Sequence, residues 1–223
     1  WVELSPKTQQ VAGLLSLFAE EVFVWEWVEL ITQSLNWNNL EVEAAIEQLY
    51  QRHMILFLEN NCEYYYKIHP LIREFLKIKL AANFHINEIK QAFTNTFIQI
   101  AQKIPETLTL DLISSLKKTI PHLKEVVENL LDVVSDENLI LTFTGLAGFY
   151  YEQGLYALAE PWYEQCISVL KSRLGENHLD FISSLDHLSV LYIYQGKYEK
   201  AELLCLNALE LKKHVLGENH LQY

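Results

Sequence analysis

The sequence predicts a mainly α-helical protein in three parts: helices carrying a small β-hairpin over residues 1–82, a helical linker over 83–137, and stacked helical hairpins over 138–223. Three observations carry this expectation. An identical six-residue run recurs 42 positions apart in the last part. The apolar patterning of the first part reads as helix, helix, helix, hairpin, helix. Half of the 223 residues are hydrophobic, enough to bury a core.

The recurring run is Leu174-Gly175-Glu176-Asn177-His178-Leu179, which returns unchanged as Leu216-Gly217-Glu218-Asn219-His220-Leu221. The same step relates Tyr150 to Tyr192, Gln153-Gly154 to Gln195-Gly196, Tyr156 to Tyr198, and Ala159-Glu160 to Ala201-Glu202. Apolar residues recur at helical spacing on both sides of each Gln-Gly pair, so each unit reads as two helices. Gly154 and Gly196 fall just past a helix end, where a left-handed residue reverses the chain without a Cβ clash. Ala159 and Ala201 are small where two helices must approach closely. A single hairpin would leave one apolar face wet, so neighbouring units are expected to stack.

These residues resemble the tetratricopeptide repeat family, in which an aromatic precedes the turn, Gly forms it, Tyr follows two positions on and Ala soon after. The long unit and its LGxxH-type connector are similar to the kinesin-light-chain subtype, although Leu179 and Leu221 stand where that connector usually has Pro, and Cys166 and Cys205 occupy packing positions. The resemblance implies a TPR-type α-solenoid with a concave groove lined by the first helices and a protein or peptide partner within it. Mapped onto this chain, the groove residues are Thr144, Tyr151 and Glu152 in one unit and Asp186, His187, Val190 and Tyr194 in the next. In kinesin-light-chain-like repeats the position of Asp186-His187 is commonly Asn-Asn, which holds an extended backbone. Asp only accepts and His switches role, so a different partner is implied. The plainer alternative is a set of ordinary solvated residues on a helix face.

In the first part, Ser5-Pro6 opens a helix through Leu17, with Ser5 as N-cap and Pro6 at the first position. Val24 to Ser34 gives a second helix with Trp25, Val28 and Ile31 on one stripe. Glu41 to His53 gives a third that turns Val42, Ala45, Ile46, Leu49 and Tyr50 inward. Ile55–Leu58 and Tyr64–Ile68 then read as short strands around Glu59-Asn60-Asn61, and Pro70–Leu80 as a closing helix. The linker reads as helices over Asn87–Ile104, Glu106–Ile120 and Pro121–Ser135, punctuated by Pro105 and Pro121.

Three helices and a two-stranded wing resemble a winged helix. DNA binding, one use of that shape, is opposed by Glu41, Glu43 and Glu47 on the third helix. The run Lys67-Ile68-His69-Pro70-Leu71-Ile72-Arg73-Glu74-Phe75-Leu76 resembles the Met-His-Asp motif of STAND-class signalling ATPases, which include NB-ARC proteins. That resemblance implies that His69 faces the β-phosphate of ADP on a neighbouring nucleotide-binding domain, although Pro70 replaces the motif's Asp. Without it, His69 reads as a helix cap or a satisfied core residue. No glycine begins a GxxxxGK[ST] loop, so ADP or ATP is expected only on an adjacent domain and no cofactor in this chain. A start at Trp1 rather than Met, and an end at Tyr223 inside a repeat, fit a piece of something longer.

The net charge of −12 opposes a nucleic-acid partner, because that affinity rests on Lys and Arg displacing counterions. Cys62, Cys166 and Cys205 show neither a disulfide framework nor a zinc spacing, which fits a cytoplasmic protein. No apolar run is long enough to suggest a membrane span. Glu176 and His178, with Glu218 and His220, offer metal-ligand chemistry, but one repeat step of on the order of 10 Å is too far for a shared shell. His187 beside Asp186, and His214 near Glu210, look like acid–base pairs, yet adjacent helical residues point about 100 degrees apart. No catalytic or metal residue is therefore assigned. The expected function is a non-catalytic sensor and protein-interaction portion of a STAND-type ATPase. A TPR scaffold or adaptor is the alternative, and a winged-helix DNA-binding regulator a weaker one.

Overall fold

The computed structural model describes residues 1–60, 63–82, 85–104 and 109–217. Asn61 and Cys62 of the hairpin turn, Pro105 and Glu106 of the linker, and Glu218, Asn219, His220 and Leu221 of the second connector lie outside the described residues. The fold is mainly helical, with one small antiparallel hairpin and helical repeats. It divides into two compact units, Trp1–Ile100 with Ser114–Val134, and Ala101–Ile113 with Ser135–Tyr223. Residues 101–113 fall in the second unit and 114–134 in the first.

The first unit follows the expected order of elements, with local differences. Helix α1 is Pro6–Leu15, capped by the Ser5 hydroxyl, which accepts from the Thr8 N–H at 3.1 Å. It stops before Leu17 because the Ser16 N–H is shared between Ala12 O and Gly13 O, which tightens the last turn. Helix α2 is Trp25–Ser34, and its inward tryptophan is Trp27, not Trp25. Ile31 sets the stripe, and a step of four residues back reaches Trp27. Helix α3, Asn39–Gln51, begins where the Asn38 side chain accepts from Leu40 and Glu41 N–H. It buries Val42, Ala45, Ile46 and Leu49, but Tyr50 is exposed. One position past Leu49, Tyr50 is rotated off the apolar face and meets Phe57 edge-on at 6.5 Å.

Strand β1, Ile55–Asn60, pairs antiparallel with β2, Glu63–Ile68, so that Ile55 faces Ile68 and Phe57 faces Tyr66. Both strands reach further into the turn than the polar residues suggested. Helix α4, Pro70–Ala81, follows. Helix α5 is Ile86–Gln102, and α6 is a single helix, Leu110–Asn129, that continues through Pro121 where a break was expected. The buried stripe of Leu116, Ile120, Leu123, Val126 and Val127 holds it together across the missing N–H. Two short 3-10 turns, Leu131–Val133 and Asp136–Asn138, replace the end of the predicted 121–135 helix.

His122 sits at the centre of the first unit, with the rings of Phe18, Trp27 and Phe97 at 5.1–5.3 Å. Its Nδ1 accepts from the Ala19 N–H at 3.0 Å and its Nε2 donates to Val22 O at 3.1 Å, which assigns one neutral tautomer. Burial pushes its pKa down to about 4; the Val22 bond opposes this and the Arg73 charge adds to it. Arg73, itself buried, donates from Nε to Phe18 O. Its other end lies 2.7 Å from Glu125 at an angle that makes the contact ionic rather than a hydrogen bond, and Lys77 reaches the same carboxylate at 2.9 Å.

In the second unit, α7 (Leu139–Tyr151) and α8 (Tyr156–Leu174) form one hairpin, and α9 (Leu179–Tyr194) and α10 (Tyr198–Leu216) the next. Gly154 and Gly196 turn the hairpins at φ 72° and 74°. Ala147, Ala159, Tyr163, Leu188, Leu191, Tyr192 and Ala201 make their shared core, so the small alanines do sit at the close approach.

Gly145 lies so near Ala101 that an added Cβ would fall 2.6 Å from that side chain, whereas Gly148 faces open space. Gly145→Ala is expected to cost about 1–3 kcal/mol by overpacking, and Gly148→Ala to be neutral or stabilising by up to about 1 kcal/mol, measured by urea unfolding. Equal effects would remove the close approach as a constraint. For His122, the unfolded chain takes up the proton between pH 6.5 and about 4 while the folded one does not. Its contribution is complete above pH 6.5 and declines by roughly 3 kcal/mol as pH falls to 4. The acid-side slope of stability should therefore be shallower in His122→Phe than in the parent; identical slopes would contradict the neutral buried ring.

Candidate functional site

The predicted groove residues separate into three settings. Thr144 and Glu152 line a cleft of about 240 Å³ with Ala101, Gln102, Ile104, Leu141, Gly145 and Gly148, all within the second unit. The Thr144 hydroxyl donates to Ile140 O at 2.9 Å, so toward a ligand it can only accept. Gly148 adds no side chain to the cleft, whose lining otherwise mixes Ala101, Ile104 and Leu141 with Gln102, Thr144 and Glu152. The opening is large enough for one bulky apolar side chain.

Tyr151 and Tyr194 belong to the second setting, a triangle of rings completed by Tyr156. All three centroid separations are 5.6 Å. Burial raises the pKa of Tyr151, and a hydrogen bond with Tyr194 and the nearby Glu152 charge raise it further, so its phenol stays protonated. Tyr194 remains exposed on the outer side. Val190, four residues earlier on α9, is also exposed. Tyr151 of the triangle and Glu152 of the cleft are consecutive residues at the end of α7, so the ring cluster and the cleft lie one residue apart along the chain.

Asp186 and His187 make the third setting, and neither is left to act as an amide-like clamp. Asp186 is held by Lys212 of α10 at 2.6 Å. His187 stacks on Tyr163 at 5.9 Å and 14°. Packing around the ring lowers its pKa against the pull of Asp186, although part of the residue stays exposed. Tyr163 and Cys166, deeper in the hairpin, are each pushed up to about 12 by burial, which leaves the Cys166 thiol protonated.

One carboxylate fixes the two hairpins against each other. Glu160 of α8 accepts from Gln195 at 2.9 Å and from Lys197 at 2.9 and 2.8 Å, both flanking Gly196. Burial acts to raise its pKa, but the Lys197 and Gln195 bonds outweigh it and hold the pKa below the usual carboxylate range. Tyr192 adds a bond to Glu164 at 3.1 Å. Sequence reasoning missed Tyr156, Gly148 and Leu141 as site residues. Tyr156 had a signal, since it recurs as Tyr198 in the repeat register.

Residues 138–214 match the tetratricopeptide repeat family. These helices are the repeats already described, and the match supports a role in protein interaction for this segment. No curated protein matches the chain. Among the described residues no helix is long and apolar enough to cross a membrane.

The other candidates sit in structural roles. Glu176 pairs with Lys171, and His178 caps α9 by accepting from the Asp180 N–H at 3.2 Å. His69 lies at the junction of β2 and α4, where its Nδ1 accepts from the Leu71 N–H at 3.2 Å while the residue stays exposed. Replacing His69 by Ala should cost about 1 kcal/mol of unfolding free energy, and replacing it by Asn, a good cap, much less. Equal losses in a denaturant titration would rule out the cap.

Proposed function

We propose that the protein is a non-catalytic interaction module whose tetratricopeptide segment seats an extended stretch of a partner protein. The observation that carries this reading is the junction of the cleft and the tyrosine triangle at Tyr151-Glu152. A bulky apolar residue of the partner enters the cleft, and the flanking residues lie across Tyr194 and Val190. Protein grooves gain most from a few such buried anchors rather than from total area.

Within a longer cytoplasmic protein, the first unit acts as the winged-helix arm of a STAND-type ATPase. His69 would then meet ADP or ATP on an adjacent nucleotide-binding domain, beyond its capping bond. A partner that bound one arrangement of that protein better than another would shift its nucleotide state. The outward Glu41, Glu43 and Glu47 of α3 favour this use over contact with a phosphate backbone.

The groove reading is tested with peptides selected by phage display on the full chain. Gly148→Leu fills the cleft from a position where a Cβ meets nothing, and Tyr194→Ala removes the exposed ring. Each should weaken the selected peptides at least about tenfold, about 1.4 kcal/mol, without loss of helicity. Undiminished affinity in both variants would put binding elsewhere.

A further inference from the structure

The cleft of the tetratricopeptide segment carries charge of one sign. Leu141, Gly145, Gly148 and Glu152 follow one another at steps of four, three and four residues, so they share one face of α7, and Glu152 ends the row at the helix terminus. Glu152 is exposed there. Among the described residues no lysine or arginine lines the cleft, and Lys103, although flanked by the lining residues Gln102 and Ile104, is not part of the wall. Helix α7 with its cap, and α9, hold the carboxylates Glu152, Asp180 and Asp186 and not one lysine or arginine. Asp186 is taken up by Lys212, and Asp180 lies at the far end of α9 from Tyr194. Glu152 is therefore the carboxylate that sets the charge at the cleft.

The hydrogen-bonding groups there ask for the same kind of partner. The Thr144 hydroxyl spends its hydrogen on Ile140 O and is left to accept. An ionised carboxylate is acceptor-only with about four lone-pair sites, so Glu152 takes an incoming donor besides its neighbours in the fold. The C-terminal end of α7 adds partial negative charge at the same place. Tyr194, whose exposed ring stands 5.6 Å from that of Tyr151, offers a π-face that also attracts cations. The lysines of the next turn are engaged, Lys197 with Glu160 and Lys200 over the Tyr192 ring at 5.3 Å. An acidic segment would meet repulsion, and a purely apolar one would strip water from these acceptors and return no donor.

We propose that the segment seated in the cleft is basic, with a lysine or arginine beside its apolar anchor that pairs with Glu152. This rests on the groove reading given above and adds to it the charge of the partner.

A phage-displayed library of random peptides, panned on the full chain, should enrich lysine or arginine next to the anchor. The anchor is recognised as the residue whose contribution disappears in Gly148→Leu. In the best peptide, changing the adjacent basic residue to Gln should weaken binding about three- to fivefold, the scale of an exposed ion pair, and less at high salt. That penalty should vanish in Glu152→Gln, and a peptide with Glu at the same place should bind Glu152→Lys better than it binds the parent. Glu43→Gln removes an equal charge from the first unit and should leave the penalty intact. Neutral or acidic residues beside the anchor would overturn the proposal. So would a penalty equal in Glu152→Gln and in the parent, which would trace the preference to the overall charge of −12. In both cases a loss of affinity in Gly148→Leu would keep the groove reading standing. If no peptide is enriched, or if Gly148→Leu and Tyr194→Ala leave affinity unchanged, both readings fall together.

Discussion

The two helical hairpins are tied to each other through the Glu160 carboxylate. It accepts from residues on both sides of the Gly196 turn, so one side chain of the first hairpin sets the height and rotation of the second. Tyr194 is next to Gln195, and its position against Tyr151 and Tyr156 follows from that anchor. Lys197 also lies over the Tyr192 ring at 5.1 Å, and Tyr192 binds Glu164, so the apolar and polar contacts at this junction reinforce each other. Such cooperation is worth more than its separate pairs when the groups are partly withdrawn from water.

The cleft has a different origin. It exists because two neighbouring turns of α7 present glycines with opposite surroundings. Gly145 admits Ala101 to near contact, while Gly148 leaves a space that no side chain enters. Close packing at one position and omission at the other give a hole with firm walls. A hole of that kind discriminates by shape, because a partner residue cannot widen it without disturbing the Gly145 contact.

Much of this was readable in the sequence, and the unread part has physical causes. The repeats were legible because turn glycines, small alanines and aromatic neighbours recur at a fixed step, each answering a backbone or packing demand. Trp25 and Tyr50 were misplaced because apolar spacing alone does not fix the edges of a buried stripe: the inward Trp27 lies two positions after Trp25, and Tyr50 lies one position, about 100 degrees, past Leu49. Pro121 reads locally as a stop, but the buried stripe of α6 overrides it. The partners of Asp186 and His187, Lys212 and Tyr163, lie far away in sequence and are set by antiparallel helix packing, which no local pattern reveals. The apolar cleft was invisible for the same reason, since Ala101, Gln102 and Ile104 come from a different helical stretch than α7.

The sparse burial of α10 has one more consequence. This helix buries only Ala201 and Ala208 fully, while Leu203, Leu206 and Leu209 remain in water, and the position that holds buried Tyr163 in the first hairpin is exposed Cys205 in the second. In a stack governed by nearest-neighbour contacts, local unfolding enters where a unit has least to lose. A contact that covers Leu203, Leu206 and Leu209 would steady α10, and through it α9 and the place of Tyr194 beside Tyr151 and Tyr156.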